Sequence, residues 1–303
     1  MRWWGLFVTL AACHARLVDP GSASDAQPTP VDDSGGPIAD ASPLADAVML
    51  GPWGTPMKIP GASSAANAED DSTMSWAGTE LVFAIVVGGV KHLYSASYTN
   101  GTFGTPALIS FSGVDEDESP RFSTDDLTLY FGSSRNSGNG TLDIYATRRT
   151  AVGMPWQTPA IVVGPNTPTK TEKWYAPCDG NHYLVIGTSA AGDTDVYEGI
   201  VGAAPSPVTA LNSASSEISA FMTKDCLTMY FASSRNQATT GVDIFTSHRA
   251  TVASPWDPPA LVAPFDTTDN EEDPWISPDQ RTFVFARASA ATPAQKDLYI
   301  STR

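Results

Sequence analysis

The stretch Thr128-Leu129-Tyr130-Phe131-Gly132-Ser133-Ser134-Arg135-Asn136 returns further along the chain as Thr228-Met229-Tyr230-Phe231-Ala232-Ser233-Ser234-Arg235-Asn236. The same offset continues downstream, where Asp143-Ile144-Tyr145 matches Asp243-Ile244-Phe245, and Pro155-Trp156 matches Pro255-Trp256. Weaker copies of the apolar run lie between and around these two, at Leu81-Val82-Phe83, Leu184-Val185-Ile186 and Phe283-Val284-Phe285. The chain is therefore built from one repeated unit, with an underlying period of about 50 residues.

Each unit contains four short runs of β-forming residues separated by turn residues. In the second unit an inner strand follows Glu118-Ser119-Pro120, and Thr124-Asp125-Asp126 forms a turn before the run at residues 129–131. Gly/Asn-rich and Asp-rich turns between β-branched and aromatic runs are hairpin signals. Proline opens the fourth run of the unit, which suits an outer edge strand. Four antiparallel strands repeated radially predict an all-β propeller.

The spacing of Pro-Trp-x-x-Pro gives the number of blades. This motif marks the fourth strand at Trp156 and Trp256, with variants at Phe103 and Pro207, and an extra copy at Pro52-Trp53 precedes the first complete unit. The last unit stops after its third strand, Asp297-Leu298-Tyr299. We therefore predict a five-bladed propeller over residues 50–303, closed by an N-terminal outer strand, near residues 56–60, that joins the last blade at residues 298–301.

The second unit also resembles a known repeat. The frame that begins at Glu118-Ser119-Pro120-Arg121-Phe122-Ser123 and continues through Ser133-Ser134-Arg135 to Asp143-Ile144-Tyr145 is similar to the PD40 (WD40-like, TolB-type) propeller repeat. Glu272-Asp273-Pro274-Trp275-Ile276-Ser277 repeats this frame. The resemblance covers most of residues 50–303. It implies the propeller fold, and it implies functions that range from periplasmic scaffolds to domains attached to peptidases.

The N-terminus has the pattern of an export signal. An apolar run at residues 3–12 follows Arg2 and ends in Leu10-Ala11-Ala12-Cys13, which resembles a bacterial lipobox. This resemblance implies that residues 1–12 are a signal peptide and that the thiol of Cys13 is acylated, although an ordinary signal with a chance cysteine is the alternative. His14, rather than Asp, follows the cysteine, which favours the outer membrane. Residues 13–49 predict a disordered acidic tether rich in Pro, Ala, Ser and Gly.

Composition narrows the classes of partner. The 303 residues hold 17 Lys and Arg against 33 Asp and Glu, a net charge of −16, which repels phosphate backbones and disfavours nucleic acid. No apolar run approaches the ~20 residues of a membrane-spanning helix. We therefore expect an exported, lipid-anchored monomer of the cell envelope that meets the membrane only through its anchor and binds an envelope protein or a glycan.

An acidic residue recurs near the start of every inner strand. The five are Asp70, Glu118, Glu172, Glu217 and Glu272. Because the loops that enter inner strands lie on one face of a propeller, we expect these carboxylates to ring one mouth of the channel. They predict either a ligand or cation site, with Ca²⁺ the favoured cation, or a structural role in holding backbone donors and arginines. A residue repeated once per unit favours the structural role.

Further candidates lie beside this ring. Arg135 and Arg235 end second strands and would bridge to Asp143 and Asp243 or to the acidic ring; Trp174 and Trp275 would stack on a sugar or peptide, or pack the channel. Cys178 and Cys226 occupy matched turns of successive units, which favours a disulfide in an exported protein over two buried thiols.

Signatures of enzymes are sparse. His14, His92, His182 and His248 do not show zinc spacing, and the chain has no G-x-S-x-G elbow. Carboxylates at the channel mouth leave open a glycosidase-like reaction, which needs two carboxyl groups ~5–10 Å apart. A binding or scaffold module is therefore the first functional hypothesis, and a periplasmic glycan-active enzyme is the second.

Overall fold

The structure, a computed structural model, describes residues 50–63, 67–135, 142–236 and 241–303. The predicted signal peptide, Cys13 and the tether at residues 13–49 lie outside these ranges. The described residues belong to one unit, Leu50–Arg303, made of five antiparallel sheets and a single 3₁₀ turn at Ala263–Phe265.

The five sheets are the predicted blades, each of which begins with an inner strand. Blade 1 contains β2 (Glu69–Met74), β3 (Glu80–Val87) and β4 (Val90–Thr99), with the short strands β5 (Thr102–Phe103) and β6 (Ala107–Leu108) both paired to β4. Blade 2 contains β7 (Asp117–Phe122), β8 (Thr128–Ser133), β9 (Asp143–Arg148) and β10 (Ala160–Ile161). Blade 3 contains β11 (Glu172–Pro177), β12 (His182–Thr188), β13 (Thr194–Ile200) and β14 (Ser206–Pro207).

The last two blades follow the same order. Blade 4 contains β15 (Glu217–Met222), β16 (Thr228–Ser233), β17 (Asp243–His248) and β18 (Ala260–Leu261). Blade 5 contains β19 (Asn270–Ile276), β20 (Thr282–Ala288) and β21 (Lys296–Thr302), and its fourth strand is β1 (Met57–Lys58) from the other end of the described chain. The predicted all-β propeller with five blades is therefore confirmed.

The N-terminal strand closes the ring as the sequence predicts. Met57 pairs with Ile300 and Lys58 with Tyr299 in antiparallel register, and the amide of Ile59 donates to the carbonyl of Leu298 at 2.8 Å. The side chain of Ile59 is fully buried. Closure covers the outer edge of β21 in the last blade, and protecting strand edges is the physical reason that such rings join their two ends.

The recurrent Pro-Trp motif has a structural role. The tryptophan ring of each copy lies under an arginine that follows the third strand, with guanidinium-to-ring distances of 4.2–4.3 Å for Arg149 on Trp156, Arg249 on Trp256 and Arg303 on Trp53. The same arginines donate their Nε–H groups to the carbonyls of Asp126, Cys226 and Gln280 in the turns between first and second strands. The motif therefore clamps the outer strand and the turn of a blade together, and the N-terminal copy does so for blade 5.

The two cysteines form the predicted disulfide. Cys178 follows β11 and Cys226 precedes β16, so the bond links the corresponding turns of blades 3 and 4, with the two Cα atoms 5.2 Å apart. Both residues are at most 1 % exposed. The bond therefore joins neighbouring blades within the core.

Removing this bond should lower stability without changing the fold. The cross-link spans a sequence separation of 48 residues, for which the chain-entropy estimate is roughly 3–4 kcal/mol. We expect the free energy of unfolding of the double variant Cys178→Ser/Cys226→Ser, measured by urea denaturation, to be lower by that amount. Its circular dichroism spectrum should be unchanged. Thiol labelling of the denatured, unreduced wild-type chain should leave both cysteines unmodified; two labelled cysteines would reject the bond.

Candidate functional site

A backbone irregularity repeats at the mouth of the central channel. Every inner strand contains a β-bulge, and the bulged residue has a positive φ although it is not glycine. The five residues are Asp71 (φ 53°), Ser119 (56°), Trp174 (48°), Ser219 (59°) and Asp273 (55°). Left-handed backbone at a residue with a side chain costs energy and persists where the surrounding structure requires it. Here it brings side chains of separate blades into contact.

These bulge residues meet across the axis of the ring. The Nε1–H group of Trp174 donates to Asp273 at 3.1 Å, from blade 3 to blade 5. The amide of Asp71 donates to the other oxygen of Asp273 at 2.8 Å, and the hydroxyl of Ser119 to Asp71 at 3.4 Å. Four of the five blades are therefore joined through side chains at the mouth.

Three lysines neutralise the carboxylates at this end. Lys91 contacts Asp70, Asp71 and Glu118 at 2.6–3.0 Å. Lys296 contacts Asp70 at 3.0 Å and Glu272 at 2.7 Å, and Lys173 pairs with the second oxygen of Glu118. We call these three lysines with Asp70, Asp71, Glu118, Glu272 and Asp273 the channel-mouth cluster. The carboxylate side chains that pair with these lysines are at most 11 % exposed, whereas the lysines are 19–28 % exposed and form the outer layer.

The carboxyl groups of the cluster differ strongly in acidity. Burial opposes the ionisation of Asp70 and Glu118, but the attraction of Lys91 and of a second lysine outweighs it and lowers the pKa of both. Burial raises the pKa of Asp71 to about 6, with repulsion from Asp70 adding to it. Burial and the neighbouring Asp71 and Asp70 raise the pKa of Asp273 well above its ordinary value. Asp273 therefore ionises less readily than an exposed aspartate.

An arginine fills the channel beneath the cluster. Arg121 is 2 % exposed, and its guanidinium donates to the backbone carbonyls of Ser72, Pro120 and Ala220 at 2.9–3.1 Å. Burial lowers the pKa of Arg121 to about 10. Below it, Trp275 and Phe221 lie with their ring centroids 6.4 Å apart, around a cavity of only about 10 Å³. The channel is therefore a packed core at this level.

The five carboxylates expected from the sequence do not share one position. Asp70, Glu118 and Glu272 pair with Ala84, Gly132 and Ala286 of the second strands and belong to the channel-mouth cluster. Glu172 and Glu217 lie one residue earlier in the register, opposite Gly187 and Ser233. At the register position of the cluster, blade 3 has Lys173 and blade 4 has Ile218. The expected ring of five is therefore wrong in geometry, because alternate strand residues face opposite ways.

The two arginines pair with the earlier register position. Arg135 makes a bidentate contact with Asp117 at 2.6 and 2.7 Å, and Arg235 contacts Glu217 at 3.0 Å. The expected ion pair with one of the five acidic residues therefore forms for Arg235. Arg135 pairs with Asp117, the residue before Glu118, instead. Trp174 and Trp275 are 7 % and 1 % exposed, so their rings pack the channel and offer no open stacking face.

Several residues of the cluster were outside the sequence prediction. Asp71 and Asp273 directly follow the predicted residues Asp70 and Glu272. The β-bulge that gives Asp71 and Asp273 different contacts cannot be recognised in the sequence. Lys91 and Lys296 come from β4 and β21, far from the inner strands along the chain. The available signal is that lysine stands at the start of the third strand in these two units, where the other units have an apolar or polar residue.

The cluster also offers a set of oxygen ligands. Oxygens of Asp70, Asp71 and Asp273 lie within 4.8 Å of one another, a spacing that one cation could bridge. The ammonium groups of Lys91 and Lys296 already contact the first two residues. A metal ion would therefore compete with these lysines.

The raised pKa values have a consequence for stability. Burial raises the pKa of Asp71 to about 6 and those of Glu172 and Glu271 to about 7, above the values of the unfolded chain. Between about pH 4.5 and pH 7 the folded state therefore holds protons that the unfolded state has lost, so stability falls as pH rises. We expect the free energy of unfolding to be lower at pH 8 than at pH 5 by several kcal/mol, since each pKa unit is worth about 1.4 kcal/mol.

Urea titrations at several pH values measure this slope. Glu172→Gln removes one of the titrating groups and should flatten the slope, while stability should fall again below about pH 4, where the carboxylates with lowered pKa become protonated. A wild-type stability that stays level or increases from pH 5 to pH 8 would contradict the assignment.

Comparisons with known proteins show the fold. No protein-family model and no curated protein matches the chain. Among solved structures it is similar to a putative TolB from Agrobacterium tumefaciens, with 14 % identity, 74 % of this chain and 71 % of that chain covered, and a TM-score of 0.50. It is similar to TolB from Acinetobacter baumannii, with 12 % identity, 80 % and 56 % coverage, and a TM-score of 0.51.

Another similar structure is an enzyme. The catalytic domain of a Coprinopsis cinerea GH62 α-L-arabinofuranosidase has 11 % identity, 82 % and 96 % coverage, and a TM-score of 0.53. Within the described ranges, no helix has the length and apolar character needed to cross a membrane. The chain is thus a five-bladed propeller whose fold is shared by TolB and by a glycosidase.

Proposed function

We propose that this chain is a binding or scaffold module of the bacterial cell envelope, and that it contacts a protein or glycan partner through the channel-mouth face. The proposed route to the envelope is export followed by acylation of Cys13, with the outer membrane favoured by His14. The similarity to TolB propellers and the lipobox-like Leu10-Ala11-Ala12-Cys13 support this proposal.

The main observation in favour of a binding role is that the carboxylates at the channel mouth are buried and neutralised. Each carboxylate of the channel-mouth cluster accepts a hydrogen bond or ion pair from a neighbouring group, and Lys91, Lys173 and Lys296 cover them. Acid/base chemistry needs a carboxyl group within reach of a substrate proton. A buried, neutralised and cross-linked mouth instead provides a rigid surface, which favours recognition.

Two matched lysine variants test this role. Lys173→Ala removes the most exposed lysine of the mouth, while Glu118 keeps Lys91 as its partner. Lys224→Ala removes an exposed lysine from a turn between the first and second strands, at the opposite end of the ring. We expect a partner cross-linked in intact cell envelopes to be lost with Lys173→Ala and retained with Lys224→Ala. Equal retention by both variants would refute the mouth as the contact surface.

Glycoside hydrolysis is the second candidate function, favoured by one feature of the cluster. Asp71 and Asp273 are neighbouring carboxyl groups whose pKa values are both raised, and glycosidases combine a carboxyl group of raised pKa with a second carboxyl group. Because a GH62 enzyme shares the fold, arabinofuranosyl oligosaccharides are the first substrates to test. Sugar release that Asp273→Asn abolishes would establish this function; no release would leave the binding role.

The anchor is tested separately. In the mature protein we expect the N-terminal residue to be Cys13, carrying acyl chains detectable by mass spectrometry. Cys13→Ala should remain unprocessed or become soluble. An unmodified Cys13 thiol in wild-type protein would reject the lipoprotein proposal while leaving the fold and the partner surface unaffected.

A further inference from the structure

Blades 2, 4 and 5 share a small ionic motif at the earlier register position of the inner strand. An acidic residue there meets an arginine from the second strand or the residues after it: Asp117 with Arg135, Glu217 with Arg235, and Glu271 with Arg287. Each guanidinium also lies 4.8–5.6 Å from the ring centroids of aromatic residues on the second and third strands. The fold therefore builds a site for one guanidinium group in each of these blades.

Blade 3 keeps the acid and loses the arginine. Glu172 pairs with Gly187, just as Asp117 pairs with Ser133 and Glu217 with Ser233. Counting two residues onward, as from Ser133 to Arg135, gives Ser189, whose hydroxyl donates to Asp193 instead. The serine that accompanies the acid in blades 2 and 4 is also replaced, by Gly187.

The carboxylate of Glu172 consequently lacks its usual partner. Glu172 is 3 % exposed; its Oε1 atom accepts from the hydroxyl of Thr167 at 2.6 Å, while the buried Oε2 atom has no hydrogen-bond partner among the described residues. A buried carboxylate oxygen without a donor is unfavourable. The Oε2 atom of Glu271 also lacks a hydrogen-bond partner, but Arg287 compensates the charge of that residue, whereas Glu172 forms no ion pair within the described residues.

A cavity lies where the arginine would be. Its volume is about 90 Å³, and its lining includes Glu172, Gly187, Thr188 and the ring of Tyr197. Tyr197 pairs with Val185 on β12 as Tyr145 pairs with Phe131 on β8, so the ring that flanks the guanidinium in blade 2 is retained in blade 3. The carboxylate, the third-strand aromatic ring and space for a small planar group are present, whereas Val185 and Gly187 replace the second-strand aromatic residue and the serine, and no arginine of the described residues pairs with Glu172.

The charges around the cavity favour a cation. Asp143, Asp193 and Asp195 are the neighbouring acids that act on Glu172 or Tyr197, and Lys170 is the neighbouring base. Lys170 lines the cavity and attracts the carboxylate of Glu172 from a distance, but the two form no ion pair within the described residues. Burial raises the pKa of Glu172 to about 7, as it does that of Glu271 in blade 5, so the cavity and the missing ion pair, rather than the acidity, distinguish blade 3.

We infer that blade 3 contains a binding site for a guanidinium group supplied from outside the chain, in which the carboxylate of Glu172 and the ring of Tyr197 take the roles that the acid and the aromatic ring have in blades 2 and 4. Guanidinium is favoured over ammonium because its planar donors match a carboxylate and stack on an aromatic face. The site does not depend on the partner surface at the channel mouth.

Titration of the full chain with methylguanidinium tests the site, with methylammonium as a control of equal charge. The amide resonances of Gly187 and Thr188 should shift saturably with methylguanidinium, and at least tenfold more of methylammonium should be needed. Acetyl-arginine amide in a second arm shows whether an arginine side chain enters as well. Shifts with acetyl-arginine amide would support a protein partner as the source; their absence would restrict the inference to small guanidinium compounds.

Two variants connect the result to this cavity. Glu172→Gln should weaken methylguanidinium binding tenfold or more. Ser189→Arg restores the arginine of blades 2 and 4 and should abolish binding while raising the melting temperature. The inference would be overturned by an absence of saturable shifts or by equal binding to Glu172→Gln. It would also be overturned by binding that appears only after Lys170→Ala, because Lys170 would then be the cation that occupies the site.

Discussion

Deletion of residues 50–60 should turn the closed propeller into an aggregating protein. The deletion removes β1 and exposes the outer edge of β21, which pairs with it at Ile300 and Tyr299. It also removes Trp53, whose ring packs against Phe265 and Phe283 at 5.5 and 5.7 Å, and the fully buried Ile59. Loss of one such aromatic and one such aliphatic side chain costs more than about 3 kcal/mol, and an open strand edge favours association between chains.

The measurements are solubility, light scattering and melting temperature. At 2–4 °C per kcal/mol for a domain of this size, the melting temperature should fall by roughly 10 °C or more in any soluble fraction. Lys58→Ala is the matched control, because its side chain is 57 % exposed and its ion pair with Asp297 lies at the surface; it should cost less than about 1 kcal/mol. A soluble deletion variant with wild-type stability would show that β1 does not close the ring.

Lys91→Met should be the most damaging single substitution at the channel mouth. One ammonium group contacts three carboxylates, of Asp70, Asp71 and Glu118, whose side chains are 1–7 % exposed. Removing the cation leaves these charges buried with less compensation. Removal of one partner from a buried ion pair costs about 3–5 kcal/mol, whereas the net contribution of the intact pair is much smaller.

Urea denaturation at pH 7 measures the loss as a shift of the midpoint at constant slope. At pH 5 the penalty should shrink, since the buried carboxyl groups can then take up protons. Lys58→Met removes a comparable but exposed ammonium and serves as the control. Losses of equal size for the two lysines would contradict the buried cluster.

Local pattern was enough to predict the architecture. The strand runs, the turn residues and the Pro-Trp copies each act within a few residues of their own position, so their repetition predicts five blades, and the orphan copy at Trp53 predicts closure with β21. The disulfide followed from the same periodicity, because equivalent turns of neighbouring blades come close in a ring.

The same pattern could not separate the carboxylates. Asp70 and Glu172 occupy similar places in the sequence, yet one faces the channel mouth and the other lies one register position earlier, opposite Gly187. A shift of one residue in a strand moves a side chain to the other face, so small differences in loop length change what a carboxylate meets. The expected ring of five failed for this reason.

The sequence alone therefore determined the repeat, the number of blades and the manner of closure, because these depend on interactions between residues near in the chain or equivalent in the repeat. Tertiary structure decided which residues face one another at the mouth. The β-bulges at Asp71 and Asp273 form only in the assembled ring. The same holds for the contacts of Lys91 and Lys296, which lie on strands distant in the sequence. The vacant arginine site at Glu172 likewise appears only when strand register aligns the blades, since charge and contact depend on distance in space rather than along the chain.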